Sequence, residues 1–287
     1  MLLRQKAILH LVGQLGGHTS RLRLVKLAFL LSRTIDSSIL RTFYQFVPYQ
    51  YGPFSFALYH ELGTLTRNGY LVAPSSRSIR LGDDAAIPFA HPALTRQIAG
   101  LAARYAKLPT ASLLDLVYSR YPEFTVNAVP PERRLAERPR AKCAVYTIGY
   151  EGLQIDGFLN ILVQKGIWQV IDVRGHPVSR RYGFHKSTLS KLCGRLDIEY
   201  RHVPELGIPS ESRAALLRPS DNEQMLDDYE NAILPAHKEA VSRIANWVRT
   251  QASVLVCMEA DPRCCHRSRL ALRIANDTGL SVHELRS

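Results

Sequence analysis

The sequence predicts an α/β protein in two parts. A mostly helical, winged-helix-like domain comes first, and a Rossmann-like, mostly parallel α/β/α sandwich follows. Three observations carry this. Helical periodicities run through the first 70 residues and end in a small hairpin pattern. From residue 143 onward, short β-branched runs alternate with amphipathic segments, the pattern of a parallel sheet covered on both faces. The charge is also split: residues 1–140 hold 18 Lys+Arg against 8 Asp+Glu, whereas residues 141–287 hold 19 against 17. The net charge of +12 therefore lies almost wholly in the first half, which points to a nucleic-acid surface there.

In the first half, apolar residues from Leu2 to Leu15 fit an amphipathic helix that Gly16-Gly17 ends. Thr19 or Ser20 can cap a second helix from Arg21 to about Arg33. Its Leu22, Leu24, Val25, Leu27, Ala28, Leu30 and Leu31 supply a buried side, leaving Arg21, Arg23, Lys26 and Arg33 for solvent or phosphate, with Arg21, Arg23 and Lys26 the expected DNA contacts. Phe43 to Tyr51 reads as a short strand or an extended entry, and Tyr51-Gly52-Pro53 as a turn. Ser55 to Arg67 is a third helix closed by Asn68-Gly69. Residues 70–72 and 79–81 are strands around a turn at 74–77. In a winged helix the third helix reads the groove and the wing touches backbone, so Arg67, Arg77 and Arg80 are expected DNA contacts. Two further helices, Ala93–Lys107 and Thr110–Tyr121, complete a domain over 1–127. Residues 128–142, rich in Pro and Arg, have linker composition, and their Arg133 and Arg134 can touch a phosphate backbone.

This half resembles a known module. Leu24–Leu31, Phe46–Ser55 around Tyr-Gly-Pro, Leu58–Leu62 and Gly69-Tyr70-Leu71 are similar to the Panacea domain of toxin–antitoxin systems. The resemblance implies recognition of protein or nucleic acid, not catalysis.

The second domain, 143–287, reads as strands at Cys143–Ile148, Trp168–Val173, Ile198–Val203, Ser253–Met258 and, at the edge, Leu280–Leu285. Helices at Ile155–Val163, Thr188–Leu196, Asn222–Trp247 (broken near Pro235) and Ser268–Asp277 separate them. Such sheets collect functional groups beyond the carboxyl ends of their strands. Those ends carry Tyr150-Glu151; Asp172, Arg174 and His176 with Arg180, Tyr182 and Phe184 after them; His202; and Glu259 with Cys264-Cys265-His266-Arg267. Asp172 with Arg174, and Glu259 with Arg267, are expected coupled pairs, because buried charges must pair.

Thr147-Ile-Gly-Tyr150, Ile171–Arg174, Pro177–Arg180, Phe184, Tyr200, Leu206-Gly207 and Cys257-Met-Glu259 with Cys265-His-Arg267 resemble the family called domain of unknown function 488, over about residues 143–286. The resemblance implies a compact α/β domain of enzymatic character. It names no reaction.

Three chemistries suit these residues. A metal is not expected, because Cys257 lies in a strand and no Cys-x-x-Cys spacing exists. A phosphatase-type thiol is not expected either, since Cys265-His266-Arg267 is too short for an anion-binding loop. The leading expectation is a DNA glycosylase-type hydrolase that excises a modified or damaged base, in phage defence or repair. In it Asp172 and Glu259 would supply the carboxylates, and Arg174, His266 and Arg267 would hold phosphate or leaving group. The base would flip into a pocket lined by Tyr150, Glu151, His176, Arg180, Tyr182 and Phe184. The competing expectation is a DNA-binding regulator or antitoxin-like module whose α/β domain senses a ligand or partner. No cofactor is called for, double-stranded DNA is the expected partner, and odd, irregularly spaced cysteines suit a reducing cytoplasm.

Overall fold

The computed structural model describes residues 1–83, 89, 91–208 and 219–286. It divides into two compact units, Met1–Glu137 and Arg138–Ser287. No described helix is long and apolar enough to cross a membrane, and no disulfide joins the described cysteines.

The first unit runs α1 (Leu3–Gln14), β1 (His18–Ser20), α2 (Arg21–Ser32), α3 (Ser37–Leu40), β2 (Val47–Tyr49), β3 (Gly52–Phe54), α4 (Phe56–Arg67), β4 (Leu71–Val72), β5 (Ser78–Leu81), α5 (Pro92–Tyr105) and α6 (Thr110–Arg120). The antiparallel sheet has the order β1-β5-β4. A first strand paired to the last strand of a C-terminal hairpin, with helices α2, α3 and α4 between, is the winged-helix connection. The sequence reading lacked β1, whose three residues are too short for a periodicity. Within Phe43 to Tyr51 the strand is only Val47–Tyr49, and it pairs across the turn with Gly52–Phe54 as the β2–β3 hairpin, Val47 opposite Phe54. Gly52 turns this hairpin at φ +79°, and a Cβ there would lie 2.6 Å from the Tyr118 ring.

Ser20 caps α2 by accepting from the Arg23 amide, and Ser55 caps α4 by accepting from that of Leu58. Helix α2 is buried from Leu24 through Ser32, with α5 and α6 packed on it. A helix apolar all round belongs in a core, not on a groove. That overturns two of the expected phosphate contacts. Lys26 is 1% exposed, and its Nζ donates to the Pro53 carbonyl at 2.7 Å. Burial pulls its pKa down to about 7. Arg23 closes the C-terminal end of α5 by donating to the carbonyls of Tyr105, Ala106 and Leu108, where orphan carbonyls need partners. Arg21 lies over the Tyr59 ring at 5.9 Å. Arg67 and Arg77 are exposed, and Arg80 pairs with Asp83 at 2.8 Å.

Residues 128–142 are packed rather than a free linker. The Val129 amide donates to Gln50, and that of Leu135 to Thr125 Oγ1. Arg133 pairs with Asp115 at 2.5 Å and covers the Tyr118 ring at 4.8 Å. Arg134 Nε donates to the Ala128 carbonyl at 3.0 Å. Beyond the boundary, Arg138 and Arg140 flank Trp168 of the second unit at 3.8 and 4.4 Å.

The second unit runs β6 (Val145–Gly149), α7 (Ile155–Gln164), β7 (Gln169–Asp172), α8 (Lys186–Gly194), β8 (Glu199–His202), α9 (Pro219–Asp228), α10 (Lys238–Thr250), β9 (Ser253–Cys257), α11 (His266–Thr278) and β10 (Val282–Glu284). The helix read from Asn222 to Trp247 is three pieces: α9 ends in a π-helical turn, Tyr229–Ile233, a short turn Leu234–Ala236 holds Pro235, and α10 follows. The five strands are parallel in the order β10-β6-β9-β7-β8. On one face, Val145, Ile171 and Leu255 form a core with Ile244 and Val248 of α10 and Leu270 and Ile274 of α11. Strand alternation sends Asp172 to the opposite face. Phe158 and Leu162 of α7 and Leu189 and Cys193 of α8 are also buried. The chain leaves β6 past β9 to reach β7, and leaves β9 past β6 to reach β10. This reversal is where open α/β sheets part at their carboxyl ends.

Candidate active site

The register brings the predicted strand ends into one row. Gly149 lies opposite Cys257, and Asp172 lies opposite both Val256 and His202. Three arrangements stand along this edge.

The first is an anchor around Asp172, which is 0% exposed. Its Oδ1 accepts from the Arg174 amide at 3.2 Å and from Arg174 Nε at 2.8 Å. Its Oδ2 accepts from Arg174 Nη2 at 2.5 Å and Tyr200 Oη at 2.6 Å. Arg174 Nη1 donates onward to Tyr150 Oη and the Phe184 carbonyl, and His202 Nε2 donates to the Arg174 carbonyl at 2.8 Å. Burial alone would lower the Arg174 pKa, but the bonds and charge of Asp172 overturn that and hold it raised. Burial, then the Asp172 charge, raises Tyr200. The same two causes, in the same order, push the Cys193 thiol up to about 12. The expected Asp172–Arg174 pair is formed, but it consumes both groups. Neither is placed to meet a substrate, which corrects their expected catalytic role. Tyr150 and Phe184 stack on each other with centroids 4.3 Å apart, at 4% and 1% exposure. They support Arg174 and are closed to a flipped base. Tyr182, 36% exposed, and the exposed His176 and Arg180 remain accessible on the loop between β7 and α8.

The second arrangement is a thiol cluster. Cys257 ends β9, Cys265 caps α11 and His266 opens it; all three are buried. Both sulfurs lie 3.0 Å from Glu259 Oε2. Cys257 Sγ is 3.9 Å from His266 Nδ1, and His266 Nε2 donates to the Val173 carbonyl at 3.1 Å. Hydrogen bonding to Cys265 holds the Cys257 thiol well below its ordinary pKa, against burial, with His266 and Glu259 adding to the effect. Burial drives Cys265 the other way. The expected Glu259–Arg267 pair is not formed. Arg267, 0% exposed, donates to the backbone carbonyls of Glu259 and Ala260, and it lies 3.7 Å from Glu284. It fixes the turn rather than a phosphate. His266, equally buried, bonds inward, so it is no phosphate ligand either. The cysteines dismissed from sequence are thus at the centre. Cys257 is the last strand residue, and the turn after it carries Cys265 back alongside.

The third is an open cleft of about 600 Å³ where the chain direction reverses, lined among others by Gly149, Glu151, Asp261, Arg263, Glu284 and Arg286. Glu151 Oε2 accepts from the Ala260 amide at 3.0 Å. Side-chain and backbone bonds from Arg263 hold the Asp261 carboxyl at about 2. Gly149 lets this loop approach: a Cβ there would lie 1.8 Å from the Glu259 carbonyl oxygen.

Residues 154–274 match the model of the family described as Domain of unknown function DUF488. The match lies within the second unit and covers less than half of the chain. The matched span contains Asp172, Arg174, Tyr200, Cys257, Glu259, Cys265 and His266, so the thiol cluster and the anchor apart from Tyr150 lie within it. Tyr150, Glu151 and the edge strand β10 lie outside it. No curated protein and no solved structure matches the chain.

Proposed function

We propose that this is a DNA-binding hydrolase that acts on nucleic acid, of the DNA glycosylase type, with the winged-helix unit as the DNA-holding part. The observation that carries the reading is the contrast between the two acids at the strand ends. Asp172 is sealed and saturated, whereas Glu259 is only partly buried and sits where parallel sheets offer their chemistry. An anion at such a point stabilises an oxocarbenium-like sugar as the base departs. Glu259 takes the role first shared with Asp172. Exposed Arg180, Arg181 and Tyr182 supply charge and one open aromatic face for a nucleotide. In the first unit, exposed Arg67 at the end of α4 and Arg77 in the wing turn suit a phosphate backbone.

The test uses the full chain with plain and base-modified duplexes, followed by heating in alkali. Breaks on one modified substrate that vanish in Glu259→Gln, with DNA binding kept, support the proposal. Binding without breaks on every substrate sinks it and leaves the DNA-binding regulator whose α/β unit senses a ligand.

A further inference from the structure

Cys257 Sγ, Cys265 Sγ and one ring nitrogen of His266 all lie within 4.8 Å of one another, on residues that are 0%, 1% and 0% exposed. Glu259 Oε2 stands 3.0 Å from each sulfur. In a tetrahedral zinc site with Zn–S near ~2.3 Å and Zn–N or Zn–O near ~2.0 Å, neighbouring donors are roughly 3.5 Å apart. The 3.0 Å separations of Glu259 from the two sulfurs and the 3.9 Å from Cys257 to His266 are near that scale, and the two sulfurs and the imidazole close to within 4.8 Å. The imidazole is also oriented as a ligand. A carbonyl can only accept, so the 3.1 Å contact with Val173 fixes the proton on Nε2. Its Nδ1 faces Cys257, and in the neutral tautomer presents a lone pair there. A ligand histidine pinned through its other nitrogen to a backbone carbonyl is the usual support of a metal site.

The backbone is organised for the same end. Arg267 holds the carbonyls of Glu259 and Ala260, Gly149 lets that turn close on β6, and the start of α11 places Cys265 and His266 in succession. Cys264, beside Cys265 in sequence, is exposed and outside the group.

We propose that Cys257, Cys265, His266 and Glu259 form a binding site for one divalent ion of borderline-soft character, zinc above all. Two thiolates and an imidazole select zinc over magnesium or calcium, which prefer oxygen donors. Binding releases to solvent whatever thiol protons the two cysteines still carry. The three buried donors hold the ion. Glu259, only partly buried, is the donor that can yield its place to water. The site competes with the glycosylase reading for the Glu259 carboxylate, and its test, which has no activity readout, stands or falls apart from that reading.

The experiment takes the full chain, purified under reducing conditions and stripped with a chelator, and titrates it with Zn²⁺ alone and with Co²⁺ alone. One ion per chain is expected, with sulfur-to-cobalt charge-transfer absorption and the intense visible bands of a tetrahedral ion. Cys257→Ser and Cys265→Ser are expected to weaken Zn²⁺ binding by at least about 100-fold, more than removal of a supporting group does, while Cys264→Ser binds as the parent does. The proposal is overturned if the parent chain takes up no Zn²⁺, if its Co²⁺ spectrum lacks the sulfur band, or if Cys264→Ser no longer holds the ion either. A Cys257–Cys265 disulfide in a second preparation made without reductant and mapped under non-reducing conditions overturns it in favour of a redox pair. The parent Co²⁺ spectrum decides the matter even if a serine variant fails to fold.

Discussion

Asp172 and Arg174, two residues apart at the end of β7, close a two-pronged ion pair that leaves the carboxylate nothing to offer a substrate. Its two oxygens accept three bonds from Arg174 and one from Tyr200, which fills the roughly four acceptor positions of a carboxylate. Removing the charge strands a buried guanidinium. Asp172→Asn is therefore expected to destabilise the second unit by about 3–5 kcal/mol, and Tyr200→Phe by only about 1 kcal/mol. Urea unfolding followed by near-ultraviolet circular dichroism measures both. Parent-like stability in Asp172→Asn would return this acid to the catalytic role expected from sequence.

Lys26 gives a pH signature. Its folded pKa is lowered to about 7 by burial, and the unfolded value is that of an ordinary lysine, about 10.4. Between these values the unfolded chain binds the extra proton, so stability rises with pH across this window. Below about 7 both states are protonated, and the folded chain carries the full penalty of a buried ammonium. The first unit should thus gain up to about 1.4 kcal/mol per pH unit between about 7 and 10 from this residue. Lys26→Met should flatten that rise and be the more stable protein at about pH 6, below the folded value. Thermal unfolding of parent and variant on both sides of neutrality checks this; parallel profiles would show that Lys26 is not buried as a titrating group.

How much of this could be read in advance depends on range. The alternation of strands and helices, the sheet they form and the convergence of their ends all follow from local patterns. So does the Asp172–Arg174 pair, because the two residues stand two apart where β7 ends and buried charges must pair. For Lys26 the signal is present in the sequence and points inward: Leu24, Val25, Leu27, Ala28, Leu30 and Leu31 leave α2 no polar stripe. Arg23 could not be read, since its partners are carbonyls more than 80 residues away. The thiol cluster was hidden for a related reason. Whether Cys257 meets Cys265 depends on the path of residues 258–264, and that path is set by Arg267 and by the space at Gly149.

That space is itself testable. A methyl group at Gly149 would stand 1.8 Å from the Glu259 oxygen and 2.6 Å from its carbonyl carbon, and neither backbone atom can yield without moving the turn. Gly149→Ala is expected to cost at least about 1–3 kcal/mol as overpacking. It should also open the turn, so that a thiol reagent modifies Cys257 and Cys265 faster in the folded variant than in the parent. Unchanged labelling rates together with unchanged melting would mean that the loop does not need this glycine.

The arginines of the first unit divide by what they already hold. Arg77 and Arg67 are exposed, while Arg23 is committed to three backbone carbonyls of its own unit. Alanine at Arg77 or Arg67 should leave melting unchanged and weaken binding to duplexes of any sequence. It should also lower the slope of log K against log salt by about 1 for each phosphate that is no longer neutralised. Arg23→Ala should do the reverse: it removes the closure of α5, lowers the melting temperature, and leaves the salt slope alone in whatever protein remains folded. Fluorescence anisotropy with a labelled duplex at several salt concentrations, beside a melting curve for each variant, separates the two outcomes. If Arg77→Ala and Arg67→Ala bind as the parent does, the face formed by α4 and the wing is not where this unit holds nucleic acid.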